Sequence, residues 1–148
     1  MSKISAFKAR RVSHPDISDC EGPRIKVIPG VSPGRGRGLF AAAHIAKGEI
    51  LERACTIHVT EEQTDALEDI LPLGDYYFRH PQSDEAGLII LGMASLCNHA
   101  DQPNAHIRYE DEGEIGWIAV LHALRDIKKG EEITYRYRCP LWFAPAKA

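Results

Sequence analysis

Apolar and polar residues alternate in several short stretches of the chain, and this pattern predicts β-strands rather than long helices. An apolar run at residues 88–91 is also typical of a strand, in this instance one that enters the core. The alternating stretches are residues 24–28, 50–59, 104–109, 116–121 and 132–137. Many short strands and little helix together predict a compact, mainly β domain.

The clearest helix signal follows the second of these stretches. Thr60 and Gln63 have the spacing of a capping box, and apolar positions continue through Leu67 to Ile70. Pro72 then stops the pattern. One short helix is therefore predicted in this region.

Turn residues separate the predicted strands. Proline and glycine punctuate a turn at residues 29–34, and the acidic stretch at residues 110–114 is typical of a hairpin tip. The sequence Lys-Gly-Glu occurs at residues 47–49 and again at residues 129–131. Because glycine suits the positive φ of a turn, two similar turns are predicted to feed two strands.

Composition narrows the class of protein. A chain of 148 residues, 44% hydrophobic and 26% charged, is expected to form one soluble globular domain. The net charge of −3 argues against a nucleic-acid binder held mainly by phosphate contacts. No apolar run approaches the ~20 residues of a membrane span, and the first residues lack an apolar signal segment. We therefore expect an intracellular protein, cytoplasmic or nuclear, that does not bind membranes.

The four cysteines are widely spaced, and none belongs to a C-x-x-C pair. Zinc sites need closely spaced ligands, so no metal site is expected in this chain. The basic residues Lys3, Lys8, Arg10 and Arg11 lie in a stretch without sustained periodicity. Residues 1–23 are therefore predicted to be a mobile basic extension.

An acidic segment lies in the first half of the chain. Residues 54–78 contain no lysine or arginine but six acidic residues: Glu61, Glu62, Asp65, Glu68, Asp69 and Asp75. Such a run is usually a solvated face. If it lined a cleft instead, it would favour basic peptides.

Three segments carry the candidate chemistry. The glycine-rich loop at residues 34–41 lacks the long helix that a dinucleotide site requires, but its glycines let the backbone approach a ligand closely. In residues 92–104, a strand, a short helical turn and a tight return would place Asn98 and His99 at the bottom of a cleft. The alternative is that this pair merely caps a turn. The third segment is G-E-E-I-T-Y-R-Y at residues 130–137.

In this order, the three segments resemble those of the SET-domain protein-lysine methyltransferases. R-G-R-G-L-F-A at residues 35–41 is similar to the family's first glycine loop, and S-L-C-N-H-A-D-Q-P-N at residues 95–104 is similar to its N-H-S-x-x-P-N segment. Residues 130–137 match its closing G-E-E-x-T-Y-x-Y. The resemblance extends over residues 24–142 and is greatest to the minimal viral and bacterial members.

The resemblance implies a β-clip architecture of small curved sheets, with few short helices and a C-terminal pseudoknot in which the last strand threads past the Asn98-His99 segment. The SET domain is then expected over residues 24–138. Residues 139–148 would form a short tail that lacks the family's zinc-binding cysteines. Glu131 and Glu132 are expected to be structural and to bond backbone in the threaded segment, although one of them could face substrate.

The resemblance also implies the cofactor S-adenosylmethionine, with S-adenosylhomocysteine as its product. Main-chain groups at Arg35, Gly36 and Arg37 are expected to contact the cofactor. Asn98 and His99 are expected to hold its methionine end and its adenine.

The substrate lysine is implied to enter from the opposite face through a narrow aromatic channel. Tyr137 falls on the family's channel tyrosine, and Tyr135 falls on the position that governs how many methyl groups fit. A hydroxyl at that second position can hydrogen-bond the amine or retain a water, which predicts mainly monomethylation. Without the other motifs, Tyr137 would be interpreted as a packed strand tyrosine.

The chain departs from the family at several positions. A further channel tyrosine falls at Ala54, so Tyr76 is predicted to replace it, with Tyr77 as the fallback. Ala100 stands where serine is usual. Trp142, with its neighbour Phe143, is expected to cover the adenine or close the lysine channel, and an equal alternative is that it anchors the core.

The leading hypothesis is a protein-lysine methyltransferase that acts on a basic protein such as a histone or histone-like substrate. A catalytically silent SET module that binds cofactor or a protein partner is the alternative. An unrelated β-rich interaction domain would leave the three segments unexplained. A homodimer is plausible because a domain of this size offers little surface for a peptide.

Overall fold

The computed structural model describes residues 25–70 and 72–138, and the predicted basic extension, Trp142 and the tail lie outside this part of the chain. The strands are β1 (Val27–Ser32), β2 (Gly36–Ala41), β3 (Ile50–Val59), β4 (Tyr77–Arg79), β5 (Gly87–Ile90), β6 (Asn98–His99), β7 (Ala105–Asp111), β8 (Trp117–Ala123) and β9 (Glu132–Tyr135). The helix α1 spans Glu61–Glu68, and short 3₁₀ helices span Leu73–Tyr76, Met93–Leu96 and Gly113–Ile115.

The strands form two sheets. The larger is antiparallel, with the order β4-β5-β3-β8-β7, and the smaller has the order β1-β2-β9-β6. In the smaller sheet β9 pairs antiparallel with β2 and parallel with β6. The prediction of a mainly β domain is therefore confirmed.

The predicted strands agree with the observed ones except at the start of the domain. The stretch at residues 50–59 is β3 with the same bounds, and the three later alternating stretches overlap β7, β8 and β9. The apolar run at residues 88–91 lies in β5 and directly after it. The hairpin tip also lies where the acidic residues predicted it, between β7 and β8.

The predicted turn at residues 29–34 is wrong at its start. β1 continues through Pro29 and Gly30, and the chain turns only between Ser32 and Gly36. Because β1 is an edge strand, the missing N–H of Pro29 is tolerated there. Close packing accounts for Gly30, since an added Cβ would lie 2.7 Å from the ring of Phe40.

The helix begins as the sequence predicts. The Thr60 N–H donates to Gln63 Oε1 at 3.0 Å, and Thr60 Oγ1 accepts from the Gln63 N–H, which completes the capping box. α1 ends at Glu68, slightly before the predicted end. The buried Thr64 hydroxyl donates to the Glu85 carbonyl at 3.1 Å and so ties α1 to the loop before β5.

The two Lys-Gly-Glu turns lie next to each other. Gly48 and Gly130 have φ values of 82° and 84°, which confirms the predicted use of glycine. Ile45 and Ile127, which precede these turns, exchange backbone hydrogen bonds of 3.0 and 2.9 Å and are fully buried. The segment that leads into β3 therefore lies beside the segment that leads into β9.

One hydrophobic core is shared by both sheets. Its buried members come from β1, β2, β3, β5, β7, β8 and β9 and from the segment that precedes β6. The largest fully buried side chains are Leu39, Ile45, Leu88, Leu121, Ile127 and Ile133. No helix among the described residues is long and apolar enough to cross a membrane.

A buried side chain holds the crossing between β6 and β9. Asn104 is 2% exposed. Its Nδ2 donates to the Glu132 carbonyl at 2.8 Å, and its Oδ1 accepts from the Thr134 N–H at 2.9 Å. β9 is thereby held beside β6, which is the contact that a strand threaded past the Asn98-His99 segment requires.

The carboxylate before β9 is held on several sides. Glu131 accepts hydrogen bonds from Arg125, from the Lys128 N–H at 3.1 Å and from Asn104 Nδ2 at 3.3 Å. The hydrogen bond from Arg125 is the main cause that lowers the pKa of Glu131 to about 2.

We expect Asn104→Ala to destabilise the fold by about 2–4 kcal/mol, because it removes the partner of a part-buried carbonyl and of a buried N–H. Urea unfolding followed by circular dichroism measures the change. Gln102→Ala, which removes an exposed amide nearby, is the matched control and should shift the midpoint little. Equal shifts for the two variants would contradict the proposed importance of the Asn104 bonds.

We expect the stability advantage of the wild type over Glu131→Gln to shrink as the pH falls from about 5 to about 2. The pKa of Glu131 is lower in the folded state than in the unfolded state, so its ionised form contributes stability above its usual pKa. That contribution is lost as the pH falls through the folded-state value. Urea unfolding midpoints of both proteins between these pH values test the expectation. A difference between the two midpoints that stays constant with pH would contradict it.

Candidate functional site

The segment from β5 to β6 has the predicted form of a strand, a short helical turn and a return. The Glu52 carboxylate on β3 accepts from the Met93 N–H at 2.9 Å and from the Ala94 N–H at 2.7 Å, which anchors the 3₁₀ helix. Gly92 is needed for this approach, because an added Cβ would lie 2.6 Å from Ala54 Cβ. The sequence gives no signal for Glu52 beyond its place in a predicted strand.

The structure brings Tyr137 to this segment. The Tyr137 N–H donates to His99 Nδ1 at 3.1 Å, and its hydroxyl donates to the Cys97 carbonyl at 3.0 Å. The rings of Tyr137 and His99 meet edge to face with centroids 5.4 Å apart. Asn98 and His99 thus do more than cap a turn, since they pair with β9 and contact the residue that follows it.

The Asn98 side chain has a defined orientation. Its Nδ2 donates to the Arg37 carbonyl at 3.0 Å and to Glu132 Oε1 at 2.7 Å. Both N–H groups of the amide are therefore engaged, and Oδ1 is the atom available to accept a hydrogen bond from a ligand.

The side chain of Arg35 binds the glycine loop to two other strands. Its guanidinium donates to the Ser32 hydroxyl, the Glu132 carboxylate and the His99 carbonyl, at 3.2, 2.6 and 3.2 Å. Gly36 follows with a φ of 78°, and a Cβ there would meet nothing within 4 Å. The backbone at Gly36 is therefore open to a ligand.

Aromatic rings continue from Tyr137 along the site. Tyr135 lies 5.2 Å from Tyr137 and 5.8 Å from Phe78, measured between ring centroids. Tyr76 points elsewhere: its hydroxyl accepts from Arg37, whose guanidinium lies 5.6 Å from the ring centroid. The structure therefore brings Tyr135 and Tyr137 together and places Tyr76 against the glycine loop. Phe78, which the sequence pattern did not single out, packs on Tyr135.

The Cys97 thiol and the Tyr109 phenol are held in their neutral forms. Burial, reinforced by Glu52 and Glu132, raises the pKa of Cys97 to about 12. Burial also raises the pKa of Tyr109 on β7. Neither group is ionised near neutral pH, so the site offers hydrogen-bonding and apolar surfaces rather than a thiolate nucleophile.

Comparison with known proteins assigns a family. The SET-domain profile matches residues 36–138. Human histone-lysine N-methyltransferase 2B is 34% identical over 113 residues, which are 72% of this chain and 4% of that protein. The H3 lysine-37-specific histone-lysine N-methyltransferase of Schizosaccharomyces pombe is 26% identical over 109 residues, which are 74% of this chain and 71% of that protein. The chain thus spans a small part of the human relative and most of the yeast relative.

Solved structures are similar over the same region. A Plasmodium falciparum protein described as a histone methyltransferase has a TM-score of 0.62 at 28% identity, with 78% of this chain and 99% of that chain covered. Chaetomium thermophilum Polycomb Repressive Complex 2 has a TM-score of 0.64 at 23% identity, with 76% of this chain and 15% of that chain covered. The second likeness shows the fold alone. The SET-domain profile covers more than half of this chain, and the chain therefore belongs to the SET-domain family.

Proposed function

We propose that the chain is an S-adenosylmethionine-dependent protein-lysine N-methyltransferase. The observation that carries the proposal is the contact of Tyr137 with the segment Cys97 to His99, through hydrogen bonds of 3.0 and 3.1 Å. Family membership supplies the class of reaction, and this contact joins the two halves of the proposed site. A chain with Tyr137 remote from His99 would have no place for the two reactants to meet.

The groups around Asn98 fit the methionine end of the cofactor. Because both N–H groups of the Asn98 amide are engaged, Asn98 Oδ1 is proposed to accept from the cofactor's ammonium group. Main-chain groups at Arg35, Gly36 and Arg37 are proposed to line the same pocket. When bound, S-adenosylmethionine supplies the electrophilic methyl group on its sulfonium.

The adenine is proposed to lie against His99. Trp142 is proposed to cover it, although that residue lies outside the described part of the chain. His99 is itself held in place, since its Nδ1 accepts from the Tyr137 N–H and its carbonyl accepts from Arg35.

The reaction needs an uncharged amine. A free lysine has a pKa of ~10.4, so roughly one amine in a thousand is uncharged near neutral pH. The apolar ring surfaces of Phe78 and Tyr135 are proposed to disfavour the ammonium by desolvation. No dedicated base is required, and the Cys97 thiol does not act as one, because its pKa of about 12 keeps it protonated. Water is proposed to take the proton.

The tyrosine hydroxyl is proposed to orient the amine. The Tyr137 hydroxyl donates its proton to the Cys97 carbonyl. Its oxygen is proposed to accept an N–H of the amine or a polarised C–H of the methyl group. Holding the reacting atoms ~3–3.5 Å apart can supply several kcal/mol of the barrier.

Tyr76 is proposed to substitute for the tyrosine absent at Ala54. Its hydroxyl accepts from Arg37, which joins the glycine loop to the 3₁₀ helix Leu73–Tyr76. Tyr135 is proposed to restrict the product to monomethyl-lysine.

The substrate is proposed to be a basic protein such as a histone or histone-like protein. The six acidic side chains on and beyond α1 are exposed. One of them, Glu68, accepts from the Tyr77 hydroxyl at 2.9 Å, next to Tyr76 and Phe78. The acidic surface therefore adjoins the proposed channel and complements a positively charged segment. Two relatives named as histone-lysine methyltransferases support this class of substrate.

A catalytically silent SET module remains the second candidate function. Ala54 favours it, because this side chain is a buried methyl group packed against Gly92 and supplies no phenol to the channel. Titration with S-adenosylhomocysteine combined with a methyl-transfer assay separates the two. Cofactor binding without transfer to any histone or lysate protein would favour the silent module.

We expect Tyr137→Phe to lower kcat for methyl transfer on the order of a hundredfold while leaving cofactor affinity near that of the wild type. The variant loses the hydroxyl but keeps the backbone bond from residue 137 to His99. Radiolabelled methyl transfer to histones measures the rate, and calorimetry with S-adenosylhomocysteine measures affinity. An unchanged rate would contradict the proposed role of the hydroxyl.

We expect the wild type to form mainly monomethyl-lysine and Tyr135→Phe to shift the product towards di- and trimethyl-lysine. Removing the hydroxyl makes space beside the amine and removes a hydrogen bond that restricts its rotation. Mass spectrometry of a methylated peptide reads the product directly. A predominantly trimethylated product from the wild type would rule out the proposed restriction. Automethylation of Lys3 and Lys8 is controlled for by assaying the enzyme without peptide.

A further inference from the structure

The carboxylate of Glu132 lies where three separate parts of the chain meet. Its Oε2 accepts from the Ser32 hydroxyl at 2.9 Å and from the Arg35 guanidinium at 2.6 Å, and its Oε1 accepts from Asn98 Nδ2 at 2.7 Å. These donors belong to β1, to the glycine loop and to β6. Glu132 therefore binds side chains, whereas its neighbour Glu131 is the carboxylate that accepts from a turn N–H.

The packing around this carboxylate is close. The Glu132 side chain is 15% exposed, so the surrounding donors replace most of the water that would otherwise hydrogen-bond its carboxylate. A Cβ added at Gly38 would lie 2.7 Å from Glu132 Oε1 and 3.1 Å from Asn98 Nδ2. Carboxylate and amide thus lie directly against the backbone of β2.

The donors are themselves linked. Arg35 Nε donates to the Ser32 hydroxyl at 3.2 Å, and that hydroxyl donates to Glu132, so the three side chains close a ring of hydrogen bonds. A further bond from Arg35 reaches the His99 carbonyl. The orientation of Asn98 and the position of the glycine loop therefore both depend on Glu132.

We propose that Glu132 is a positioning residue that preorganises the cofactor site, an inference that rests on the proposed function. By accepting from Nδ2, the carboxylate directs Asn98 Oδ1 towards the ligand ammonium. Without it, the Arg37 carbonyl alone accepts from Nδ2, and the amide can turn over and present N–H groups to a positive charge. The glycine loop would also have to be ordered at the moment of binding, which lowers affinity.

The neighbouring glutamates provide a matched pair for the test. Glu132→Gln places an amide N–H against a donor that now faces a carboxylate oxygen, and Glu131→Gln makes the same chemical change one residue away. Calorimetric titration of the full chain with S-adenosylhomocysteine should show binding weakened roughly tenfold or more in Glu132→Gln and unchanged in Glu131→Gln. In the transfer assay, the KM for S-adenosylmethionine should rise with Glu132→Gln more than kcat falls.

A purely structural role predicts a different result. Both variants would then lose stability, and neither would change cofactor affinity at temperatures where it is folded. Equal affinities for Glu132→Gln and Glu131→Gln, with a binding-competent wild type, overturn the positioning role. A wild type that binds no S-adenosylhomocysteine overturns the proposed function itself.

Two further variants keep the test decisive if Glu132→Gln does not fold. Ser32→Ala removes one donor and leaves the ion pair to Arg35, so a smaller loss of affinity, about threefold, is expected. Glu132→Asp retains the charge but shortens the side chain, so its affinity should fall below that of the wild type. Wild-type affinity in both Ser32→Ala and Glu132→Asp contradicts the proposal.

Discussion

The parallel pairing of β6 with β9, secured by the Asn104 amide, is the interaction on which the rest of the structure depends. One side chain bonds the Glu132 carbonyl and the Thr134 N–H, as a neighbouring strand would. The register that results places His99 opposite Tyr135. Without this pairing, neither Tyr135 nor Tyr137 would have a reason to lie near the segment at residues 97–99.

The site that this crossing creates consists largely of backbone groups and neutral side chains. The Cys97 carbonyl orients a phenol, and the Arg37 carbonyl orients an amide. Two of its ionic groups, Arg35 and Glu132, are paired with each other rather than presented to a reactant. Such an arrangement suits a transfer that depends on alignment and desolvation more than on acid–base exchange, and it agrees with the proposed methyl transfer.

Local chemistry explains which features the sequence could predict. The capping box at Thr60 and the glycine turn at Gly48 involve neighbours along the chain, and both formed as expected. The strand through Pro29 was missed because its tolerance depends on lying at a sheet edge, which no local pattern reveals. Glu52 is a similar case, since its partners Met93 and Ala94 are about 40 residues away.

The candidate site likewise has features that the sequence could predict and features that it could not. The three segments could be recognised from their residues, and the structure brings them together through Arg35, Asn98 and Tyr137. The pattern could not show that Phe78 rather than Tyr76 packs on Tyr135, because strand register decides which of them does. The pairing of Glu132 with side chains rather than backbone likewise depends on three elements distant in sequence.

The place of β9 in its sheet has a consequence for how the molecule assembles. β9 comes last among the described strands, yet it lies between β2 and β6 and pairs Leu39 with Ile133. During synthesis, the β1–β2 hairpin must therefore keep an open edge until nearly the whole domain has left the ribosome. Closing so long a loop is intrinsically slow. The glycine loop and the tyrosines therefore reach their final contacts only once β9 is in place between β2 and β6.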